Sequence, residues 1–328
     1  MPAIITLQDV ERARSLVRKH LVTTPLVHSP EFSEACGSAI YFKLESFQHT
    51  HAFKVRGALN KVASLSMAEC QRGVIAASSG NHALGVAYAS RLLGVEATVV
   101  MPTSAPPTKI ELAKGYGAKV VLHGQTYDDA FAHAQELAAG QGKALAPSFD
   151  DLKVIAGQGT IVLEVLEALP DVDILLAPIG GGGLVSGLAF TLAELGHPAR
   201  VVGVEAEGAP KMLESIRAGK RIKLSHVETI ADGIAIQQPG ELNFDFVRRY
   251  VKDILTVSDE HIYQALARML FDMKVVVEPA AAAPVAALLF DESLRNLRKT
   301  ICCVITGGNI SRALLQRVAQ GQPLPAGT

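Results

Sequence analysis

The chain contains 328 residues, of which 49% are hydrophobic and 19% are charged, and its 31 basic and 32 acidic side chains leave a formal net charge of −1. This length corresponds to about two folding units, and the apolar fraction is large enough for a buried core, which excludes an intrinsically disordered chain. The balanced charge excludes a general nucleic-acid or anionic-membrane binder, because such proteins carry a strongly basic surface.

The sequence repeats a short apolar run, a turn rich in Gly, Ser or Asn, and a helical pattern. The apolar runs are Val74–Ala77, Ala97–Met101, Lys119–Leu122, Ile174–Pro178, 201–205 and 301–305. Because these runs lack a polar alternation, they predict strands that are buried on both faces of parallel sheets. Strands that alternate with helices predict an α/β, doubly wound fold class.

No Pro- or Ser-rich linker marks a domain boundary, although the composition changes near residues 147–151. The segment 73–140 has the pattern of a compact three-stranded lobe. If the N-terminal segment packs with the C-terminal half, this lobe is an insertion. We therefore predict a large domain of residues 1–67 and 148–328 and a small inserted domain of residues 68–147, with a ligand-binding cleft between them.

Four consecutive glycines, Gly180 to Gly183, follow the predicted strand Ile174–Pro178 and precede a helical pattern that begins at Leu184. Glycines let backbone N–H groups converge on an anion, and a helix N-terminus adds a partial positive charge. The turn therefore predicts a phosphate site, with a simple packing turn as the alternative. The uncharged stretch 174–193 is long enough to cross a membrane, but its proline and glycines exclude a spanning helix.

The same turn partly matches the dinucleotide fingerprint GxGxxG. Gly181 and Gly183 hold its first two positions, and Glu205 ends the next predicted strand. Ser186 stands at the third position, where the fingerprint requires Gly or Ala. An oxidoreductase that uses NAD or NADP therefore stays open as an alternative function.

Lys54 stands at the predicted start of a helix, with Arg56 two positions later. The positive end of the helix dipole disfavours an ammonium group there and is predicted to lower the pKa of the lysine. A neutral amine is what Schiff-base chemistry requires. The alternative is a solvated pair of basic side chains on a helix surface.

Two further turns follow predicted strands. The first contains Ser78, Ser79, Asn81 and His82. Its hydroxyls, amide and N–H groups could bind a carboxylate at a helix N-terminus, with an ordinary Ser/Asn cap and a structural partner for His82 as the alternative. Thr306 follows the last predicted strand and brings a hydroxyl to the edge where open α/β sheets bind ligands.

In this order, the helix-start lysine, the Ser-Ser-Gly-Asn turn, the glycine run and the strand-end threonine resemble the fold-type II pyridoxal-phosphate enzymes, in their threonine/serine dehydratase and serine racemase branch. The resemblance covers nearly the whole chain. Further matching motifs are Thr24-Pro25-Leu26, Ala105-Pro106, Tyr116-Gly117-Ala118, Phe149-Asp150-Asp151, the Ala-Gly-Gln-Gly-Thr run at 156–160, Ala231-Asp232-Gly233 and Glu278-Pro279. The resemblance implies two domains, each with a mainly parallel twisted sheet covered by helices, and the cofactor pyridoxal 5'-phosphate.

The resemblance also implies a role for each residue of these turns. Lys54 would hold the cofactor as a Schiff base, and Ser79 would be the acid and base that racemases use on the opposite face. The cofactor-binding residues implied are Phe53, Lys54, Asn81, Gly180, Gly181, Gly182, Gly183, Leu184 and Thr306. The residues implied to receive the substrate carboxylate are Ser78, Ser79, Asn81 and His82.

The implied reaction is that of an ammonia-lyase (dehydratase), which converts a small β-hydroxy amino acid such as L-threonine or L-serine to a 2-oxo acid and ammonia. The Thr306 hydroxyl would face the ring nitrogen of the cofactor, where it leaves a weaker electron sink than a carboxylate and favours loss of the β-hydroxyl group. His51, Ala52 and Leu84 depart from the family pattern of Gly, Ser and Gln, so a less common β-hydroxy amino acid stays open as the substrate. An amino acid racemase is a further alternative.

The racemase-like branch also holds a divalent cation after the strand that ends at Glu205. Glu205 and Ala209 match two of its ligand positions, but Lys211 stands at the second carboxylate position. Its ammonium would repel a divalent cation and could take over its charge. We therefore expect no metal and no Mg²⁺ dependence.

The remaining expectations concern location and assembly. The four cysteines lack CxxC or Cys/His spacing, so neither a zinc site nor a disulfide framework is indicated, and the N-terminus lacks a signal-peptide pattern. We expect a cytoplasmic enzyme that forms a homodimer or higher homo-oligomer and binds neither nucleic acid nor membranes.

Overall fold

The computed structural model describes residues 5–324. Its helices are α1 Leu7–His20, α2 Pro30–Cys36, α3 Lys54–Ala63, α4 Met67–Arg72, α5 Asn81–Leu93, α6 Pro107–Gly115, α7 Tyr127–Gln141, α8 Leu152–Ala168, α9 Gly183–Glu194, α10 Lys211–Ala218, α11 Glu241–Tyr250, α12 Asp259–Phe271, α13 Pro279–Phe290 and α14 Arg312–Ala319. Its strands are β1 Leu26–His28, β2 Ala39–Leu44, β3 Val74–Ala77, β4 Ala97–Met101, β5 Lys119–Leu122, β6 Ala144–Leu145, β7 Ile174–Pro178, β8 Arg200–Ala206, β9 Asp253–Val257 and β10 Thr300–Ile305. Short 3-10 helices span Glu45–Phe47, Asp232–Ile234 and Glu292–Leu294. The outermost residues of the predicted large domain, 1–4 and 325–328, lie outside the described residues.

The strands form two sheets. The larger has six strands in the order β1-β2-β10-β7-β8-β9, and the smaller has four in the order β5-β4-β3-β6. Every neighbouring pair is parallel except β1 and β2. Parallel strands need helical crossovers that cover the sheet faces, and β3, β4 and β7 are accordingly buried at every residue. The predicted α/β fold with mainly parallel sheets is confirmed.

Two features of the smaller sheet differ from the prediction. Lys119 and Leu122 of β5 are exposed, so the interpretation of this run as a strand buried on both faces is wrong. It is an edge strand, which helices cover less completely than a central one. The prediction of a three-stranded lobe is also wrong, because a fourth strand, β6, pairs with β3 at the other edge of the sheet. A strand of two residues carries no periodic signal in the sequence.

The larger sheet joins the two ends of the chain. The parallel pairing of β10 with β2 brings the N-terminal segment into the sheet of the C-terminal half. All strands of the smaller sheet lie between Val74 and Leu145. This arrangement supports our proposal that residues 68–147 form an inserted small domain, and the boundaries of that domain stay a prediction.

Helix α13 packs against the larger sheet. Its sequence, PAAAAPVAALLF, is made of small and apolar residues, and all but its last two residues are buried. Small side chains let the helix lie close to the strands it covers. Glu278 immediately precedes this helix, and its N–H donates to the carbonyl of Gly307, just beyond β10, at 3.0 Å. The helix thereby holds Glu278 at the carboxyl end of a central strand.

Within residues 5–324, no helix is long and apolar enough to cross a membrane. The uncharged stretch 174–193 folds as β7, the glycine turn and most of α9.

Candidate active site

Lys54 is the first residue of α3, so the helix begins where the sequence predicts. Its Nζ donates a hydrogen bond to the Ser148 carbonyl at 3.0 Å and lies 5.3 Å from the centre of the Phe53 ring. Part of the side chain is accessible to solvent, but the ammonium is enclosed, and this desolvation lowers its pKa to about 8 against the opposing charge of Glu278. The direction agrees with the sequence argument, whereas the main cause is burial rather than the helix dipole.

Arg56 has no exposed surface, so the alternative of a solvated basic pair is wrong. Its Nε donates to Glu45 at 2.7 Å and its Nη1 donates to Glu164 at 2.6 Å. Lys43 donates to the same Glu164, and Thr24 donates to Glu45, both at 2.6 Å. Two cations and two carboxylates therefore form a neutral buried cluster, which ties the start of α3 to β2 and α8.

Helices α5 and α8 lie directly against the helix that carries Lys54. A Cβ atom added to Gly157 of α8 would lie 2.6 Å from the Cα of Gly57, and one added to Gly85 of α5 would lie 3.1 Å from the backbone nitrogen of Val55. Glycine is required for the first of these contacts, and any other residue would crowd the backbone in the second. The position of Lys54 is thus set by backbone packing on two sides.

The glycine turn leads into α9, whose N-cap is Gly182 at φ 106°. L side chains rarely adopt this left-handed conformation. Phe149 covers the turn, because a Cβ on Gly181 would overlap its ring and a Cβ on Gly183 would lie 3.0 Å from its Cα. The packing-turn alternative therefore accounts for part of the turn, and the backbone N–H groups at its end are left for a ligand.

Helices α5 and α9 both begin at glycine N-caps and receive no side-chain cap. In the described part of the chain, the first N–H groups of these two helices, those of Asn81, His82, Gly183 and Leu184, have no partner. Several other helices are capped: α1, α4 and α7 carry capping boxes, and the Glu205 and Asp150 carboxylates accept N–H groups of α10 and α11. Helices α3, α6 and α13 also lack a side-chain cap, but α6 and α13 begin with proline, which has no N–H group to bind. The ordinary Ser/Asn cap considered for residues 78–82 is therefore wrong, and two helix N-termini are open to anions.

The two serines of this turn lie before α5. The Ser78 Oγ accepts the N–H of Gly80 at 3.2 Å. Ser79 is half-buried beside it, and its hydroxyl makes no hydrogen bond within residues 5–324. The Ser79 hydroxyl is therefore available to a ligand in the site.

Asn81 is fixed by two side-chain hydrogen bonds. Its Nδ2 donates to Glu278 Oε1 at 2.7 Å, and its Oδ1 accepts from Asn309 Nδ2 at 2.7 Å. The amide orientation is therefore determined, and among the described residues one Nδ2 hydrogen stays free for a ligand. Glu278 and Asn309 are not among the residues expected from the sequence; the Glu-Pro pair ahead of an alanine-rich helix is the signal that could have found Glu278.

His82 is buried, and its Nε2 lies 2.8 Å from the carbonyl oxygen of Ala146. Burial, with the nearby charge of Lys54, lowers its pKa to about 4, so the imidazole is neutral near pH 7. The ring thus has the structural partner considered as the alternative. Because Nε2 must donate to this carbonyl, Nδ1 of the neutral ring is an acceptor and cannot donate to a carboxylate, so His82 can bind a substrate carboxylate only through its backbone N–H.

These groups surround one place at the carboxyl ends of the strands. Lys54 binds the carbonyl of Ser148, and the next residue, Phe149, covers the glycine turn. On the other side, the carbonyl of Thr306 accepts the N–H of Phe53 at 3.0 Å. The lysine, the glycine turn and the strand-end threonine are therefore neighbours, although long stretches of chain separate them.

The structure excludes the NAD or NADP site, because Glu205 is not available to a ligand. Glu205 has no exposed surface, and its carboxylate accepts the N–H groups of Met212 at 3.0 Å and Leu213 at 2.9 Å. It also pairs with Lys211 at 2.9 Å. Because the carboxylate is enclosed, it cannot bind a ribose hydroxyl, and the interpretation of the glycine turn as an NAD or NADP site is wrong.

The departures from the family pattern have distinct structural settings. His51 adopts φ 55°, a left-handed conformation that glycine reaches more easily, and its carbonyl accepts the N–H of Gly308 at 2.9 Å. Ala52 is buried and forms a backbone bridge with Gly307. Leu84 is 5% exposed and packs in an apolar cluster with residues of α3, so the structure gives it a packing role.

A planar aldehyde that carries a phosphate fits these groups. The Lys54 amine, with its lowered pKa, suits covalent bonding to an aldehyde. The open N-terminus of α9 suits a phosphate, and the free Asn81 N–H suits an anionic oxygen on a ring. The open N-terminus of α5 is left for a carboxylate. The residues therefore fit pyridoxal phosphate together with an amino acid.

Replacing Glu278 by glutamine should change how the stability of the apoprotein depends on pH. Burial raises the pKa of this carboxyl from 4.5 to about 7, so its contribution to stability is complete below pH 4.5 and is lost as the pH rises through 7. Glutamine does not ionise. The unfolding free energy of Glu278→Gln should therefore rise relative to the wild type between about pH 5 and pH 8, by up to about 3 kcal/mol.

Thermal melts of the two apoproteins across this pH range check the prediction. The matched control is Glu111→Gln, because Glu111 is an exposed carboxylate on α6. Melting temperatures that run parallel with pH in wild type and Glu278→Gln would contradict the prediction.

Comparison with known proteins gives one family. The family described as pyridoxal-phosphate dependent enzyme matches residues 17–307. The L-threonine ammonia-lyase of Thermotoga maritima is 42% identical over 315 residues, which are 96% of this chain and 78% of that protein. The catabolic L-threonine dehydratase TdcB of Escherichia coli is 40% identical over 319 residues, 96% of this chain and 95% of that protein. The structure of maize serine racemase superposes with a TM-score of 0.92 at 32% identity, covering 97% of this chain and 98% of the other.

Proposed function

The chain belongs to the pyridoxal-phosphate dependent enzyme family, and on that premise we propose that it releases ammonia from L-threonine, with L-serine as a second substrate. It is a pyridoxal-phosphate-dependent lyase that acts on a small β-hydroxy amino acid, as its extensive identity with L-threonine ammonia-lyases shows. The names of these relatives support threonine as the first substrate to test.

The observation that carries the proposal is the pair of open helix N-termini beside a lysine of low pKa. The α9 N-terminus follows the glycine turn, and we assign it to the phosphate of the cofactor. The α5 N-terminus lies beside Ser78 and Ser79, and we assign it to the substrate carboxylate. Each supplies free N–H groups and a partial positive charge, which a phosphate and a carboxylate both require.

Bound pyridoxal phosphate supplies an electron sink for the negative charge that is left on the substrate α-carbon when its proton is removed. We assign Lys54 to take that proton. Its pKa of about 8 gives a larger neutral fraction near pH 7 than an ordinary lysine has. The Ser148 carbonyl, 3.0 Å away, orients the amine.

Asn81 and Thr306 are assigned to the polar groups of the cofactor ring. Asn81 offers one free amide hydrogen, and Glu278 and Asn309 hold its orientation. Thr306 is 2% exposed, and its neutral hydroxyl cannot supply the charge that keeps a ring nitrogen protonated. A less delocalised negative charge expels a neighbouring β-hydroxyl group more readily, which favours elimination.

An amino acid racemase is the second candidate. Ser79 supports it, because its hydroxyl is free within the described residues and could return a proton to the face opposite Lys54. The similarity to maize serine racemase gives the same support. Elimination and racemisation begin with removal of the same α-proton, so one site can host both.

The purified holoenzyme should release 2-oxo acid and ammonia in equal amounts from L-threonine and from L-serine. Incubation with a panel of L- and D-β-hydroxy amino acids, followed by 2-oxo acid detection and chiral analysis, measures both reactions. Inversion of the amino acid without release of 2-oxo acid would contradict the lyase and favour the racemase.

Ser79→Ala should separate the two activities. Racemisation should fall by about a hundredfold or more, because the acid and base of one face is removed, while 2-oxo acid release from the L-amino acid should fall much less. Ser64→Ala is the matched control, since Ser64 is exposed at the end of α3. Equal loss of both activities in Ser79→Ala would contradict the separate role of Ser79.

We further propose that the enzyme is a cytoplasmic homo-oligomer. The free thiols of Cys36, Cys302 and Cys303 support a reducing compartment. Phe47 is 54% exposed and Val276 is 41% exposed, which supports an apolar contact with a second subunit. Light scattering with size-exclusion chromatography measures the mass, and a monomer at micromolar concentration would contradict the assembly.

A further inference from the structure

Lys211 is a fully buried lysine at the first position of α10. Oxygen atoms surround its Nζ. The carbonyls of Ile179, Ile234 and Ala209 lie at 2.5 Å, 3.2 Å and 3.3 Å, and Glu205 Oε1 lies at 2.9 Å. One carboxylate and three carbonyls therefore converge on a single nitrogen that no solvent reaches.

This oxygen shell is of the kind that hard metal cations prefer. An ammonium offers three hydrogens and a positive charge to it, whereas a neutral amine would turn a lone pair towards oxygen. Burial lowers the pKa of Lys211, and the negative charge of Glu205, which accepts a hydrogen bond from the lysine, opposes this shift without cancelling it. Because Nζ lies among the oxygens that would bind a metal, Glu205 and Ala209 do not fit the divalent cation that the family resemblance implies.

Two of the carbonyl groups that bind Lys211, those of Ile179 and Ile234, belong to segments that contact the glycine turn. Ile179 immediately precedes Gly180, the first residue of the turn. Ile234 ends a 3-10 helix, in which the carbonyl of Gly233 would lie 3.3 Å from a Cβ on Gly180. Lys211 is therefore linked to the turn both along the chain, through Ile179, and through space, through the 3-10 helix.

Met212, the residue after Lys211, contacts the same turn. Glu205 accepts the N–H of Met212, whose Cε would lie 2.9 Å from a Cβ on Gly182. Glu205 thus binds Lys211 and the start of α10 together. Removing the ammonium would leave the Glu205 carboxylate buried without its counter-charge, next to the segment that supports the turn.

We propose that the Lys211 ammonium is a built-in cation that holds the glycine turn ready for the phosphate of the cofactor, so that the enzyme needs no free metal ion for this purpose. Lys211 is a positioning residue, since it contacts the support of the turn and not the ligand. The inference rests on the proposed function only in assigning the phosphate to this turn.

Lys211→Ala tests the proposal through cofactor binding rather than turnover. Apoproteins are freed of metal with EDTA and titrated with pyridoxal phosphate, and the dissociation constant and the melting temperature are measured. We expect the wild type to be indifferent to EDTA and to added Na⁺, K⁺ or Mg²⁺. Lys211→Ala should bind the cofactor at least about tenfold more weakly, and added cation or methylammonium should recover part of this loss.

Lys220→Ala is the matched control, because Lys220 is an exposed lysine just beyond the same helix. If Lys211→Ala does not fold, Lys211→Met combined with Glu205→Gln removes both charges and keeps the side-chain lengths. This pair should still bind the cofactor at least about tenfold more weakly, and cations should not restore binding, because the carboxylate is gone.

Two results would overturn the proposal. One is a wild type whose cofactor affinity or melting temperature falls with EDTA and returns with Mg²⁺. The other is wild-type cofactor affinity in Lys211→Ala or in the double variant. A wild type that binds pyridoxal phosphate but releases no 2-oxo acid would contradict the lyase proposal alone, so the two failures are distinguishable.

Discussion

Lys54→Ala should abolish the visible absorption band of the purified protein and lower 2-oxo acid release by at least about a thousandfold. One nitrogen is assigned two tasks, the covalent bond to the cofactor and acceptance of the substrate proton. Alanine supplies neither. The substitution also removes the hydrogen bond to the Ser148 carbonyl at 3.0 Å, which holds the amine in place.

The other buried lysines cannot take over these tasks. Lys43 donates to the carbonyl of Thr24 and to Glu164, at 2.7 Å and 2.6 Å. Lys211 is held by its own shell of oxygen atoms. Both are fixed by partners outside the site, so the loss of Lys54 should not be compensated.

Absorbance spectra and 2-oxo acid assays of equal amounts of protein measure the effect. The matched control is Lys61→Ala on the same helix, where the lysine pairs with Asp151 near the surface. This control should keep its absorption band and most of its activity. A Lys54→Ala variant that stays yellow and active would contradict the assignment.

Arg56→Met should destabilise the protein more than any loss of a surface ion pair, by about 3 to 5 kcal/mol. Arg56 donates to Glu45 and Glu164, and all three side chains are buried. Methionine fills much of the space but carries no charge. Lys43 alone would then face two carboxylates, and at least one of these would be buried without a partner.

Arg18→Met is the matched control. Arg18 also donates to both oxygens of one carboxylate, that of Glu167, but its side chain is 49% exposed. Such a pair contributes about 0 to 1 kcal/mol because water replaces its hydrogen bonds. Arg14 also pairs with Glu167, so this carboxylate keeps a partner after the substitution.

Thermal and urea unfolding of both variants, together with the soluble yield, measure the difference. Arg56→Met should melt well below the wild type, and Arg18→Met should melt close to it. Similar melting temperatures for the two variants would contradict the role of the buried cluster. Arg56→Lys is a useful second variant, because it keeps the charge but lacks the planar fork that binds two carboxylates.

Much of the fold is predictable because strong local patterns repeat along the chain. The runs at Val74–Ala77, Ala97–Met101 and Ile174–Pro178 are strands with the predicted bounds. Long apolar runs followed by glycine or serine turns leave few alternatives to a buried parallel strand. Short and edge strands carry weaker patterns, which explains why β1, β6 and β9 are not predicted. The strand β2 is also not predicted, because Lys43 interrupts its apolar run.

The candidate site is predictable where its chemistry lies in a turn. The glycine run and the Ser-Ser-Gly-Asn turn are visible because local sequence sets their backbone conformation. The Glu-Pro pair marks Glu278 as a residue of interest, but the roles of Glu278 and Asn309 are not visible in this way, because they depend on Asn81, which is 197 and 228 positions away. No local pattern reports a contact across such a distance.

The sequence by itself determined the alternation of buried strands, turns and helices, and with it the α/β fold and the turns that supply the site. Only the tertiary structure decided which charged side chains are buried and with which partners. The local sequence leaves open that Arg56 is half of a solvated basic pair. In the structure it donates to Glu164, 108 positions away, and lies at the centre of a buried cluster. Burial and pairing depend on neighbours brought together by packing, and these same neighbours set the pKa values of Lys54 and Glu278.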